Sequence, residues 1–116
     1  MNTVDKGRFG EQCAAKYLQA AGYIIVEKNF RTRWGEVDII STRENLIAFV
    51  EVKTWRGVDP QELYRVFTPA KRRRMMVCAE VYLDRHKEYS GYTIRFDLMY
   101  LRPDGSLVEF YENVLT

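Results

Sequence analysis

Histidine is nearly missing from this chain. His86 is the only one, and it is joined by just two cysteines, Cys13 and Cys78. The lack of a His/Cys cluster at ligand spacing argues against a zinc site and favours an oxygen-ligated Mg²⁺ or Mn²⁺ site. Each cysteine lies in a helix-like pattern with no partner, which reads as a small buried thiol in a reducing compartment. No glycine-rich phosphate loop occurs, which argues against an NTPase or a dinucleotide enzyme. No apolar run approaches the roughly 20 residues of a membrane span, and the N-terminus has no apolar leader segment. A cytoplasmic protein with no membrane partner is the expectation. A strong excess of one charge is also absent: the formal net charge is only +2, so overall charge does not argue for nucleic acid.

Hydrophobic residues are plentiful, at 47% of 116 residues. That is enough to fill one core, and residues 1–116 read as one domain. Residues 5–21 carry Phe9, Cys13, Ala14, Tyr17, Leu18 and Ala21 at helical spacing, with Gly22 as a stop. Residues 23–30 read as a strand, followed by two more at about 34–42 and 46–54. Thr68-Pro69 starts a second helix, with threonine as cap and proline in the first turn. That helix runs to about residue 86 on Met75, Met76, Ala79, Tyr82 and Leu83. Two last strands, 92–101 and 107–111, are joined by the turn signal Pro103-Asp104-Gly105. The order α-β-β-β-α-β-β predicts an α/β (α+β) domain with a mixed sheet and flanking helices.

Two carboxylates sit inside the most strand-like segments, Val37-Asp38-Ile39-Ile40 and Phe49-Val50-Glu51-Val52-Lys53. A hairpin centred between Glu44 and Asn45 would set Ile40 opposite Phe49, Asp38 opposite Glu51 and Glu36 opposite Lys53. Asp38 and Glu51 would then be roughly 4.5–5.5 Å apart at Cβ. Like charges there are costly, and burial adds to the cost. A divalent cation between them removes both problems, and Lys53, on the same face, could act on whatever the cation binds. The alternative is a half-exposed face on which both acids pair with arginines. Ile40, Phe49 and Ile47, sharing that face, argue for burial instead. Glu11 is a third acid, on the helix stripe of Ala14, Ala15, Leu18 and Ala21 that should meet the sheet. It either needs a cation or donor there, or is a first-turn acid favoured by the helix dipole.

Lys71-Arg72-Arg73-Arg74 is an uninterrupted basic run in the first turns of its helix. Counting back from Met75 and Met76 puts Lys71 and Arg72 on the inward stripe, where cations and free N–H groups together suit a phosphate. Arg73 and Arg74 read as solvated charges. His86 reads as a cap or surface residue, and Asp97 as a partner of Arg95. Trp34 and Trp55 could stack on bases, with packing at the core or its lip as the plainer reading.

Gly10-Glu11, Gly35-Glu36-Val37-Asp38, Phe49-Val50-Glu51-Val52-Lys53, Lys71 and Arg95-Phe96-Asp97 together resemble the YraN-like family of small bacterial proteins. That family is similar to the PD-(D/E)XK nuclease superfamily, nearest to archaeal Holliday-junction resolvases. Val37 stands where the superfamily has proline. The resemblance covers nearly the whole chain and implies a restriction-endonuclease-like core with a five-stranded sheet. It implies a Mg²⁺- or Mn²⁺-dependent endonuclease-like hydrolase acting on nucleic acid, with DNA favoured. Asp38, Glu51 and the Val52 carbonyl would hold the metal, Lys53 would be the catalytic lysine and Glu11 the additional acid. Lys71 and Arg72, with Arg31 and Arg33, would contact phosphates. A homodimer would suit the cutting of two symmetric strands. The competing expectation is a non-catalytic nucleic-acid-binding module that keeps the nuclease fold.

Overall fold

A computed structural model describes residues 3–54 and 67–114. Helix α1 (Thr3–Ala20) leads into β1 (Ile24–Thr32), β2 (Gly35–Arg43) and β3 (Leu46–Thr54). Helix α2 (Pro69–Arg85), a short 3-10 turn at Lys87–Tyr89, β4 (Thr93–Leu101) and β5 (Leu107–Tyr111) follow. The five strands form one sheet in the order β1-β2-β3-β4-β5. All pairings are antiparallel except β3 with β4. A parallel pair needs a long crossover rather than a tight turn, and α2 lies on that crossover. This is the expected α+β order, consistent with a restriction-endonuclease-like core.

Side chains alternate across β3, and each helix takes one face. Ala48 and Val50 pack with Ile39, Met99 and Leu101 against Ala14, Ala15 and Leu18 of α1. Ile47 and Phe49 pack with Ile40 against Cys78, Ala79 and Tyr82 of α2. Burial on both faces explains why β3 reads as a continuous apolar run. The cap of α2 is as expected, with Thr68 Oγ1 accepting from the Lys71 N–H at 3.2 Å. At its other end the His86 ring lies 3.9 Å from that of Tyr82, and Nδ1 is 2.8 Å from the Tyr82 carbonyl oxygen, an end-of-helix role.

Two details differ from the simple periodic reading. Met76 is nearly half exposed, whereas Met75, Cys78, Ala79 and Tyr82 are buried; the inward stripe is narrower than the run of apolar residues. Cys78 is buried as expected, but Cys13 is only half-buried, and both are free thiols. Cys13 lies under the β4–β5 turn, where a Cβ on Gly105 (φ +89°) would come within 2.5 Å of its sulfur. Only glycine fits there, by conformation and by space.

Candidate active site

The β2–β3 hairpin takes the register expected from its centre, with Ile40 opposite Phe49 and Arg43 opposite Leu46. The ladder, however, ends at Ile39 opposite Val50, so Asp38 and Glu51 are not a cross-strand pair. Asp38 Oδ2 instead accepts the Val52 N–H at 2.8 Å. A side-chain carboxylate has taken the bond that a main-chain carbonyl would make. The neighbouring strand is distorted at the same level. Asn29, between the pairs Lys28–Ile39 and Phe30–Val37, has φ +53°. Asparagine tolerates that left-handed conformation better than other non-glycine residues. Val37 and Ile40 both belong to the cluster against α2, whereas strict alternation would send them to opposite faces. Regular sheet therefore gives way around Asp38.

This opening is a cleft of about 590 Å³, bordered by Glu11, Asp38, Glu51, Lys53, Lys71 and Arg74 among others. Glu51 is only 4% exposed. Its Oε1 accepts from Lys71 Nζ at 2.6 Å and lies 3.2 Å from Lys53 Nζ. Burying one carboxylate is tolerable here because two ammonium groups converge on a single oxygen. Lys71 comes from the first turn of α2, so the basic run that looked like a phosphate site is partly committed to an internal acid.

Asp38 has no such partner: among the described residues no cation pairs with it. Burial, then the negative field of Glu51, push its carboxyl up to about 7, against the Val52 N–H bond; Glu11 and Glu36 add smaller upward effects. Lys53 moves the other way in charge preference. Burial disfavours its ammonium, but Glu51 and Asp38 outweigh that and hold its pKa above the ordinary value. The cleft thus brings two lysines together with Glu51 and with a carboxyl at Asp38 that at neutral pH is poised between its two forms.

The other expected residues are placed variously. Gly10 faces β3, where a Cβ would sit in ordinary contact 4.0 Å from Val52 Cγ1. This puts half-buried Glu11 at the cleft wall. Yet among the described residues no three His, Cys, Asp or Glu side chains gather into a metal-binding group. Glu11 reaches Asp38 through its field, not as a close third ligand, because the helix crosses above the strands rather than between them. Glu36 does not face Lys53 across a ladder; it pairs with Arg31 at 3.0 Å, and both side chains are largely exposed. Arg33 lies over the Trp34 ring, 4.5 Å from its centroid. Arg72 is half-buried, and its Nε has no hydrogen-bond partner among the described residues. Trp55 lies outside the described residues. Arg74, read from sequence as a solvated charge, borders the cleft. Nothing in helical periodicity distinguished it from Arg73; the signal was Gly35, whose missing Cβ would sit 3.3 Å from Arg74 Cβ.

Residues 10–101 match the family described as Uncharacterised protein family UPF0102. A UPF0102 protein of Rhodopseudomonas palustris is 41% identical over 98 residues, 84% of this chain and 74% of its own length. One from Treponema pallidum is 40% identical over 98 residues, 84% of this chain and 78% of its own. One from Clostridium botulinum is 38% identical over 95 residues, covering 82% and 77%. Among the described residues no helix is long and apolar enough to cross a membrane.

Proposed function

The chain belongs to the UPF0102 (YraN-like) family, and from its acid-and-lysine cleft we propose that it is a metal-dependent nuclease that hydrolyses phosphodiester bonds in DNA. The observation that carries this reading is the contrast inside one cleft. Glu51 is buried and doubly compensated, while Asp38 beside it makes no ion pair among the described residues and has its carboxyl pushed up to about 7. A carboxyl raised by burial and a neighbouring acid is the condition that a bound divalent ion relieves.

The donor set fits a hard cation. Asp38, Glu51 and the Val52 carbonyl would hold Mg²⁺ or Mn²⁺ through oxygen. Solvent would complete the shell, and Glu11 would orient that solvent from the cleft wall. When bound, the ion supplies Lewis acidity toward a phosphoryl oxygen and a lowered pKa for water. The chain's own residues do the rest. Lys53, 40% exposed, presents an ammonium that can stay charged and donate to oxygens where negative charge develops on the phosphoryl group. Lys71 holds Glu51 in place. Arg74 on the cleft wall, with Arg31 and Arg33 on the β1–β2 side, would meet backbone phosphates, which positions a strand without reading its sequence.

The test is cleavage of a panel of branched, flapped, single-stranded and duplex DNA in Mg²⁺ or Mn²⁺. Wild type should cut at least one member, and Asp38→Ala, Glu51→Ala and Lys53→Ala should not. Calorimetric titration of Mn²⁺ should show a site that Asp38→Ala loses. Variants that cleave like wild type would sink the assignment. Binding of DNA that ignores Mg²⁺, with no cleavage by wild type, would favour a binding module.

A further inference from the structure

The β1–β2 turn presents an aromatic ring where a core residue would be hidden. Trp34 is 45% exposed, although large aromatics carry most of the burial in a small domain. Its main chain is anchored by the local structure. The Trp34 N–H donates to Thr32 Oγ1 at 3.1 Å, and that hydroxyl lies 3.2 Å from Cys78 Sγ in α2. Gly35 then seats the turn against the same helix, where a Cβ would come within 3.3 Å of Arg74 Cβ. The turn is bound to α2 at two points while the indole is held outward.

Beside the indole runs a groove of about 290 Å³, bordered by Trp34, Ala70, Arg73, Arg74 and Val77. Its floor is apolar, one wall is a flat π-surface, and two arginines stand along it. Arg33 already lies over the Trp34 ring, which adds a third cation. Arg74 borders both this groove and the acid cleft, so the two are neighbours across one side chain. At this size, near the lower end of small-ligand clefts, the groove takes one flat ring and not a double helix.

We propose that this groove binds an unpaired nucleobase, stacked on Trp34 with its flanking phosphates on Arg73 and Arg74. A base inside a duplex already has both faces stacked, so an aromatic platform selects bases that are free. The inference rests on the nuclease reading and narrows its substrate class. The preferred nucleic acid carries an unpaired nucleotide within reach of the acid cleft, as a single strand, flap or gap does and a blunt duplex does not.

The experiment measures binding in EDTA, where cleavage cannot interfere, of a short oligothymidylate and a blunt duplex of equal length. Wild type should bind the oligothymidylate more tightly and lose tryptophan emission on binding it. Trp34→Ala should weaken oligothymidylate binding about fivefold or more and duplex binding less than about twofold. Trp34→Phe, which keeps a flat ring, should retain most of the affinity and lose most of the quenching, since Trp55 is then the only tryptophan. An unchanged oligothymidylate affinity in Trp34→Ala, an equal loss on both probes, or no binding by wild type would overturn the proposal. Should Trp34→Ala fail to fold, the quenching difference between wild type and Trp34→Phe decides it. Cleavage by wild type but not Asp38→Ala is scored separately: stacking without cleavage sinks the nuclease reading alone, and cleavage without stacking sinks this one alone.

Discussion

Two buried carboxylates in this molecule have opposite fates. Asp97, fully buried in β4, is held by Arg95 through Nε and Nη2 at 2.8–3.0 Å and accepts the Asn113 N–H at 2.9 Å. Arg95 in turn bonds the Tyr23 hydroxyl and approaches Glu112. Burial pushes the Asp97 carboxyl up, against the pull of that guanidinium. Asp38 faces the same desolvation with one backbone N–H and, among the described residues, no ion pair. The first acid is locked into a closed network that ties β4 to Tyr23 and to the chain beyond β5. The second opens onto a cleft. Burial raises both carboxyls; what separates a structural acid from a candidate functional one is whether the fold supplies the counter-charge.

That contrast predicts which acid can be removed without unfolding the protein. Asp97→Ala leaves the buried Arg95 guanidinium with only the Tyr23 hydroxyl and the more distant Glu112, and should cost about 3 kcal/mol, read as a fall in the denaturant midpoint. Asp38→Ala should leave the fold intact and abolish cleavage. If the two substitutions destabilise equally, the distinction collapses.

The pH dependence of stability sharpens it. An unfolded Asp38 titrates near 3.8 and the folded one near 7. Between those values the native state keeps a proton that the unfolded state has released. Stability of the metal-free protein therefore falls as pH rises from about 4 to about 7 and levels off above. After allowance for solvent reaching the cleft, roughly 2 kcal/mol is at stake. Asp38→Asn should flatten that slope, and Mn²⁺ should restore stability at pH 7; thermal melts across the pH range check both.

A smaller effect concerns Lys71. Lys71→Ala leaves Glu51 with Lys53 alone, and should lower cleavage about 10- to 100-fold by loosening a positioned group. Smallest of all is the exposed Arg31–Glu36 pair, whose disruption by Arg31→Ala should change stability by less than about 1 kcal/mol. Its loss should instead weaken binding of all DNA probes to a similar degree and reduce the salt dependence of that binding.

Much of the fold was legible because both helices and β3 obey simple periodicities: Ala14 and Leu18, Met75 and Tyr82, Ile47 and Phe49 all landed where spacing put them. The choice of Asp38 and Glu51 was legible too, since acids inside apolar strands demand an explanation. Their relation was not. The hairpin centre set the register, but the end of the ladder depended on a carboxylate replacing a carbonyl and on a left-handed Asn29 in the adjacent strand, neither of which leaves a pattern in spacing. Lys71 meets Glu51 only because α2 returns over the sheet, and Tyr23 meets Arg95 across 72 positions. Contacts of that separation are made by the tertiary arrangement, which local propensity does not encode.

The single bond from the Val52 N–H to Asp38 also makes the site observable without a substrate. A main-chain amide that donates to a titrating carboxylate feels each change in that carboxylate's charge. In a ¹⁵N–¹H correlation spectrum the Val52 cross-peak should shift with the titration of Asp38 and respond again as Mn²⁺ broadens its surroundings. Arg43 and Leu46, paired at the far end of the same ladder, offer an internal reference. One resonance would thus report the ionic state of Asp38 before any question of turnover arises.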